Sequence, residues 1–586
     1  MKKYKLTTLL ACFLILILSG CGDDWLDTEP ESFFGPETAF KSPEGIDAML
    51  ISMRKALRDN DWGNNARIRS EYYFTDISYM SLQNAGSPRN ANVITPFANA
   101  FQMWTQNTWE ESYQVIRDAN IVISRIDLPV YENDAQRNSF LAEAYFHRSY
   151  WYYRLVHRFG DVPWIGKEIT SPRVDFFSFT REVILNKIKD DMEWAVQHLP
   201  EDVIGGKVSR GAGDHLLTKL YLSVGEFDNA ITAAGRVIDG GRYALMTERF
   251  GSGPFADDPN YDVLWDLHQR ENKDLNINTE AILIAVDEFE AIGRSGNNGS
   301  LSDRYWMPLW WLIPGCEYNV NNGIDEIEEA LNRGVSWARP NNYFNYTLKA
   351  EDPNDGRYSE TNWWSLDDFW YNDPTGANFG QTIDIADVGL DSISRMFEFP
   401  HYKLHVPADV PGQLSHGGTT DFYVYRLAET YLLRAEAYMW KGETANAAAD
   451  VNVVRARAGA SQKAATDMSM DYIFDERARE LYTEEKRWTE LARVSYTMAL
   501  LNRDGYSLET MHDKNYYHDK ITRTDDIFDS GVVYTDQEYD VQAYNVYWPV
   551  PQVVIDANSL GHINQNRGYT GAESNIDPIT VITDED

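Results

Sequence analysis

The stretch from Asp421 to Ala458, DFYVYRLAETYLLRAEAYMWKGETANAAADVNVVRARA, constrains the fold more than any other part of the chain. Tyr425, Ala428, Leu432, Ala435 and Met439 recur at three- and four-residue steps, which puts them on one face of a helix. Lys441-Gly442 ends that helix, because glycine takes the left-handed conformation a helix terminus needs. From Ala445 to Ala458 a second helix is expected, rich in alanine and therefore able to approach its neighbour closely. A helix pair of this kind cannot bury its apolar face alone, so stacked partners are expected elsewhere in the chain.

One partner is visible. Tyr221-Leu-Ser-Val-Gly225-Glu-Phe-Asp-Asn-Ala230 aligns with Tyr438-Met-Trp-Lys-Gly442-Glu-Thr-Ala-Asn-Ala447, with Tyr, Gly, Glu, Asn and Ala at equal spacing. The pattern resembles the tetratricopeptide repeat, in which an aromatic, a turn glycine and a small alanine mark where one helix leaves and the next packs back. The alternative is two unrelated hairpins that share turn chemistry.

The amino terminus reads as a targeting segment. Lys2, Lys3 and Lys5 precede an apolar run from Leu9 to Leu18, too short to span a bilayer comfortably. Leu18-Ser19-Gly20-Cys21 resembles a bacterial lipobox, in which the cysteine is acylated and becomes the new terminus. Residues 1–20 are therefore expected to be a lipoprotein signal peptide and Cys21 the lipidated residue. Processing removes Cys12 and leaves Cys316 as the one other cysteine, so no disulfide within the chain is available. Asp23-Asp24 resembles the acidic export tag of surface lipoproteins in Bacteroidetes. No other stretch is long and apolar enough to span a membrane.

The formal charge, 53 − 90 = −37, speaks against a nucleic-acid partner, since phosphate binding needs clustered Lys and Arg. A hydrophobic fraction of 43% with 13% aromatic residues is that of a globular protein, and its 18 Trp and 35 Tyr are residues used both for packing and for stacking on flat ligand faces.

Along the chain, helix starts are expected at Pro36–Phe40 and Ser42–Ile46, with helical patterning from Ala48 to Leu57. Residues 59–100 read as loops around a short helix at Glu71–Ser78. Further helices are expected at Trp109–Ile126, Asp134–Phe159, Phe179–Leu199 and Tyr472–Leu500, with the matched hairpin at Gly213–Ile238. Between about 240 and 420 long helical periodicity is lost and Gly, Asn, Asp, Pro and Trp dominate, with a short strand at Thr279–Val286. So long an irregular stretch is usually functional or an elaborated insert.

Several markers now agree. Trp25-Leu26-Asp27 follows the lipobox, Phe159-Gly160-Asp161-Val162-Pro163 closes the aromatic helix, and Tyr425-Arg426-Leu427-Ala428-Glu429 leads into Leu433-Arg434-Ala435-Glu436-Ala437. Glu476-Arg477-Ala478-Arg479-Glu480-Leu481, Arg487-Trp488 and Leu491-Ala492-Arg493 come next, then Trp548-Pro549-Val550-Pro551-Gln552 and Gln565-Asn566-Arg567-Gly568-Tyr569. Together they make the chain resemble the SusD/RagB family of outer-membrane nutrient-binding lipoproteins. The resemblance implies a mainly α fold of tetratricopeptide-like helix pairs carrying a loop-rich variable insert with short strands. It divides the mature chain into an N-terminal scaffold at 21–240, a variable ligand-binding region at 241–420 and a C-terminal region at 421–586 that completes the scaffold. It implies a protein anchored in the outer membrane by lipid on Cys21 and exposed at the cell surface. Such a protein would bind an oligosaccharide and deliver it to a SusC-like TonB-dependent transporter, with neither catalysis nor cofactor. Capture of peptides is the alternative within the family.

A glycan site needs flat rings over the apolar faces of sugars and polar side chains at their edges. The richest candidate is Arg304-Tyr305-Trp306-Met307-Pro308-Leu309-Trp310-Trp311, followed by Trp337, with Trp363, Trp364 and Trp370 further on. A second patch is Trp62 and Trp104 with Asn64, Asn65 and Asn99. Arg304, Tyr305, Trp306, Trp310, Trp311, Trp337, Trp104, Trp62 and Asn65 are the expected ligand residues. The competing expectation is that the tryptophans form the insert's own core. Glu476, Glu480 and Glu484 stand at four-residue steps, as a glycoside hydrolase's carboxylates could. Arg477, Arg479 and Arg487 beside them favour a structural ion-pair network instead. A helical-repeat adaptor for protein partners is a third reading. Asp352-Pro353-Asn354-Asp355-Gly356 is read as a turn and not a Ca²⁺ loop, since no terminal bidentate Glu completes it.

Overall fold

A computed structural model of the protein describes residues 39–63, 67–81, 100–203, 205–288, 302–318, 326–409, 418–524, 527–528, 530–534 and 537–583. Cys21, the leader before it and Asn65 lie outside these residues, as do Asn64 and Asn99. Helix dominates the rest. The principal helices are α1 (Pro43–Asp61), α2 (Ala100–Arg125), α3 (Asp134–Phe159), α4 (Arg181–Ala195), α5 (Arg210–Val224), α6 (Phe227–Ile238), α7 (Leu427–Trp440), α8 (Thr444–Arg457), α9 (Met470–Leu481), α10 (Arg487–Leu500) and α11 (Tyr516–Thr524). Strands are short and paired in twos: β1 (Ser78–Met80), β2 (Val162–Pro163), β3 (Ser178–Phe179), β4 (Ala281–Ala285), β5 (Ala338–Pro340), β6 (Phe422–Arg426), β7 (Val533–Tyr534) and β8 (Gln537–Glu538). Among the described residues no sheet closes, and no helix is long and apolar enough to cross a membrane.

The two matched decapeptides adopt the same turn. Gly225 has φ 78° and Gly442 φ 77°, both left-handed. The N–H of Glu226 donates to the Tyr221 carbonyl at 2.9 Å, and the N–H of Glu443 to that of Tyr438 at 2.9 Å. The glycine N–H groups donate to Leu222 and Met439, completing the two-bond motif that satisfies the last carbonyls of a helix. Asn229 and Asn446 each donate to the Glu three residues before, at 2.7 and 2.8 Å. Ala230 and Ala447 are fully buried where the second helix packs back. The shared letters thus mark shared geometry.

The helices pack in sequence, α2 on α3, α3 on α4, α5 on α6 and α7 on α8. α6 also packs on α7, which joins the two hairpins across the whole insert. Phe227 stacks on Trp440 at 5.5 Å and 10°, and Lys441 pairs with Asp228 at 2.5 Å.

Two elements differ from the sequence reading. Helix α7 begins at Leu427, not Tyr425, because Phe422–Arg426 pairs antiparallel with β4, Ala281 facing Arg426 and Ala285 facing Phe422. Aromatic and β-branched residues fit a pleated surface, and that pairing overrides the local helical period. The helix expected at Tyr472–Leu500 is two helices, α9 and α10, broken at Thr483, whose φ is 71°. The break lets successive carboxylates, Glu484 and Glu485, face different partners.

Those partners are arginines. Glu476 accepts from Arg357 at 2.8 Å, Arg455 at 2.7 Å and Arg479 at 3.0 Å. Arg426 reaches Glu280 and Glu480, each at 2.6 Å, and Glu484 at 2.8 Å. Across the break Arg477 of α9 pairs with Glu485 at 2.6 Å and Glu490 at 2.9 Å, and Arg487 of α10 pairs with Asp76 at 2.6 Å. Burial pushes the Glu476 carboxyl up, but the guanidiniums of Arg357, Arg479 and Arg455 overcome it and hold the pKa at about 2. Asp352 spends its oxygens on Arg455 and Ser461, so the 352–356 turn is part of the same network.

Two predictions follow from these contacts. An added Cβ at Gly442 meets nothing within 4 Å, and at Gly225 its nearest neighbour is Leu501 Cδ2 at 3.6 Å. Gly225→Ala and Gly442→Ala therefore each cost the left-handed penalty alone, about 1–2 kcal/mol in urea unfolding. An unchanged midpoint in both would contradict the shared turn. Glu476→Gln leaves buried guanidiniums underpaired and costs about 3–5 kcal/mol at pH 7. Because the folded pKa lies below the ordinary 4.5, the contribution of Glu476 is complete above pH 4.5 and lost as the pH falls towards 2. The stability gap between wild type and Glu476→Gln should shrink over that window.

Candidate functional site

The early chain and the insert are tied together by a two-stranded ladder. β1 pairs antiparallel with β5, Ser78 facing Pro340 and Met80 facing Ala338, and the Ser81 hydroxyl donates to the Ser336 carbonyl at 3.0 Å. The helix expected at Glu71–Ser78 is instead a 3-10 turn at Arg67–Glu71 followed by turns into β1, whose Ser78–Met80 is engaged by β5. The ladder carries Arg69 to the aromatic run.

Within the insert, residues 304–307 lie alongside 335–337. The N–H groups of Val335, Ser336 and Trp337 donate to the carbonyls of Arg304, Met307 and Tyr305 at 2.8, 2.9 and 2.7 Å. The rings of Tyr305 and Trp337 meet at 5.3 Å. The Arg69 guanidinium lies 4.3 Å from the first ring centre and 4.1 Å from the second. Arg69 is 4% exposed whereas both rings are half-buried, so the cation braces the rings from within. The Trp311 indole N–H donates to the Gly334 carbonyl at 2.9 Å, and Arg333 lies 4.9 Å over its ring. Gly334 is required there: a Cβ would sit 2.1 Å from the Pro308 carbonyl oxygen. Arg304, Tyr305, Trp311 and Trp337 are thus all half-exposed and all anchored on the backbone of residues 334–337, and are together termed the ledge.

Three expected ligand rings are core residues instead. Trp306 is 1% exposed, edge-on to Tyr72 at 4.6 Å and to Tyr482 at 5.4 Å. Trp310 is fully buried and donates to the Asn332 carbonyl at 3.0 Å. Trp62, 3% exposed, stacks on Phe422 at 5.2 Å under the Lys486 ammonium at 4.3 Å. A ring covered on both sides has no face for a sugar. Trp62 and Trp306 border a cavity of about 40 Å³, room for water but not for a pyranose. Trp363 donates to Glu398 at 2.8 Å, and Trp364 packs on Phe399, both within the one large core that also holds the scaffold helices and not in a core of the insert's own. The backbone of Trp104 belongs to α2, and its side chain, like Asn65, lies outside the described residues.

Arg69 and Arg333 were missed in the sequence. Each is remote from, or merely adjacent to, the aromatic run, and its role depends on pairing that no local pattern encodes. Among the described residues no group of three or more His, Cys, Asp or Glu side chains could hold a metal ion.

Two family models match the chain: the SusD family over residues 304–569 and "Starch-binding associating with outer membrane" over residues 24–222. SusD-like protein P25 of Formosa agariphila is 23% identical over 531 residues, covering 86% of this chain and 90% of that one. The starch-binding protein SusD of Bacteroides thetaiotaomicron is 43% identical over 150 residues, 26% of this chain and 22% of that one. Among solved structures, a laminarin-binding SusD-like protein superposes with a TM-score of 0.60 at 21% identity, covering 90% of this chain and all of that one. Surface glycan-binding protein A of Bacteroides thetaiotaomicron, in complex with laminarihexaose, gives 0.61 at 17% identity, covering 89% and 99%. Helix pairs, the braced insert and models that match at both ends of the chain lead to one conclusion: this chain belongs to the SusD family.

Proposed function

We propose that the protein is a non-catalytic, surface-exposed lipoprotein that captures an oligosaccharide on the ledge of Tyr305, Trp311 and Trp337, with Arg304 at its edge. The observation that carries this reading is the bracing of half-exposed rings. Arg69 and the backbone bonds of 335–337 hold Tyr305 and Trp337 in place before any ligand arrives. Pre-ordered rings lose little entropy on binding, so stacking on several sugar faces accumulates along a chain. One similar protein is called laminarin-binding and another, a surface glycan-binding protein, was solved in complex with laminarihexaose, which supports a glycan as ligand and makes laminarihexaose the first probe. The arginine-paired state of Glu476, Glu480 and Glu484, the first two of them buried, supports binding without hydrolysis.

Residues 1–20 act as the signal, acylation of Cys21 holds the protein in the outer membrane, and residues 241–420 supply the ligand-binding region. The captured glycan passes to a SusC-like TonB-dependent transporter beneath.

Titration calorimetry against a panel of neutral and acidic oligosaccharides, laminarihexaose included, and a set of peptides tests the reading. At least one glycan should bind, and Trp337→Ala and Trp311→Ala should each weaken it by about tenfold, the equivalent of about 1.4 kcal/mol. Binding of peptides with no response to any glycan would assign the ledge to peptide capture. Trp306→Ala should act differently, lowering stability by about 3–5 kcal/mol through the core. A Trp306→Ala protein of wild-type stability would contradict the assignment of that ring.

A further inference from the structure

Two motifs far apart in sequence meet at the end of α3, away from the ledge. Asn566 donates to the carbonyls of Phe159 at 3.0 Å and Trp548 at 2.7 Å. Gly160, with φ 68°, leaves just enough room, since a Cβ would lie 3.0 Å from Asn566 Oδ1. Beside this junction is a cleft of about 380 Å³, bordered by Asp161, Arg181, Tyr496, His512, Tyr547 and Arg567. No ledge residue borders it.

Arg181 is the unusual member. It is the first residue of α4, a 15-residue helix, and is 3% exposed. Its guanidinium lies between two phenol rings, 4.3 Å from the centre of Tyr496 and 4.4 Å from that of Tyr547. Neither Nη1 nor Nη2 has a hydrogen-bond acceptor. Asp161, the nearest candidate, accepts from the Arg181 backbone N–H at 2.8 Å and makes no ion pair with the side chain. Elsewhere in this protein buried guanidiniums such as Arg357, Arg426, Arg477 and Arg493 each hold two or more carboxylates. A buried cation with no acceptor is costly, and a cleft at its side is where one enters.

We infer that this cleft is a second binding site, in which Arg181 receives a carboxylate group carried by a small ligand. The guanidinium edge offers two parallel donors, the geometry a carboxylate matches. The amino terminus of α4 adds positive potential at the same point. Tyr547 is the cover. It is half-buried, and its hydroxyl is held by the thioether of Met511, at 3.1 Å, a weak acceptor. Since both nitrogens are shielded from solvent, the ring must swing for the carboxylate to enter. Glu182 and Glu509 stand at the exposed rim, where solvent screens their repulsion. The volume suits an acid of monosaccharide size.

The test is calorimetry on the full mature chain with sodium acetate, D-glucuronate and D-glucose at constant ionic strength. Glucuronate should bind saturably at about millimolar concentration, and glucose should not. Acetate binding as well as glucuronate assigns the site to the carboxylate alone, and a tenfold preference for glucuronate assigns it to an acidic sugar. Arg181→Gln should weaken either ligand at least tenfold, while Tyr547→Phe, which frees the cover, should keep or strengthen binding. A crystal of the wild-type protein soaked in glucuronate should place the carboxylate against Nη1 and Nη2, a result that does not depend on the variant folding. No binding of either acid by the wild type, or equal binding by a folded Arg181→Gln, overturns the inference. Laminarihexaose or peptide binding at the ledge is a separate readout and stands or falls apart from it.

Discussion

Glu476 accepts from three guanidiniums at once, and everything around it follows from keeping that carboxylate paired. One guanidinium, Arg357, comes from the insert, one, Arg455, from α8, and one, Arg479, from α9 itself. The insert and the helix pairs therefore share a single buried charge. Glu480 repeats the arrangement one turn on, meeting Arg357, Arg426 and Arg457. Removing ions from water is expensive, and their attraction repays it when every partner is in position. Any packing that strands one of these charges loses about 3–5 kcal/mol. An apolar seam tolerates sliding, whereas this one does not, and the result is a fixed orientation of insert on scaffold.

That orientation sets what the half-exposed rings pack against. Arg357 holds the insert to α9, β1 pairs with β5, and Arg69 from the early chain lies against Tyr305 and Trp337. Rings on a loop would otherwise lose much of their stacking energy to ordering on each encounter. Here the rings are held by contacts from three remote parts of the chain.

The repeat was legible because turn chemistry is local. A left-handed glycine, the Glu and Asn after it and a small alanine carry their geometry within ten residues, and Gly225 and Gly442 adopt it alike. The end of α3 and the beginning of α1 were legible for the same reason. The β6 strand was not, since Phe422–Arg426 owes its form to β4, which lies far back in the sequence. Nor was the break at Thr483, where a β-branched residue takes a positive φ that no propensity favours. The ion network was legible in kind, from the Glu and Arg spacing on α9, but its partners Asp76, Glu280 and Asp352 were not. The leader and Cys21 were read from motif chemistry alone.

The aromatic run shows why residue type identified the region and not the residues. Tyr305 and Trp306 are adjacent, as are Trp310 and Trp311, and in each pair one ring faces inward and the other stays half-exposed. Neighbours are offset by about 100° on an α-helical turn and about 120° on a 3-10 turn such as Trp310–Leu312, so the two rings of a doublet point to different sides. The inward rings supply the packing that fixes the backbone, and the outward rings take their position from it. Composition alone cannot assign the two roles, because both use the same side chain. What assigns them is the partner beneath: Tyr72 and Tyr482 enclose Trp306, the Asn332 carbonyl takes the Trp310 N–H, and Arg69 leaves Tyr305 and Trp337 half-exposed.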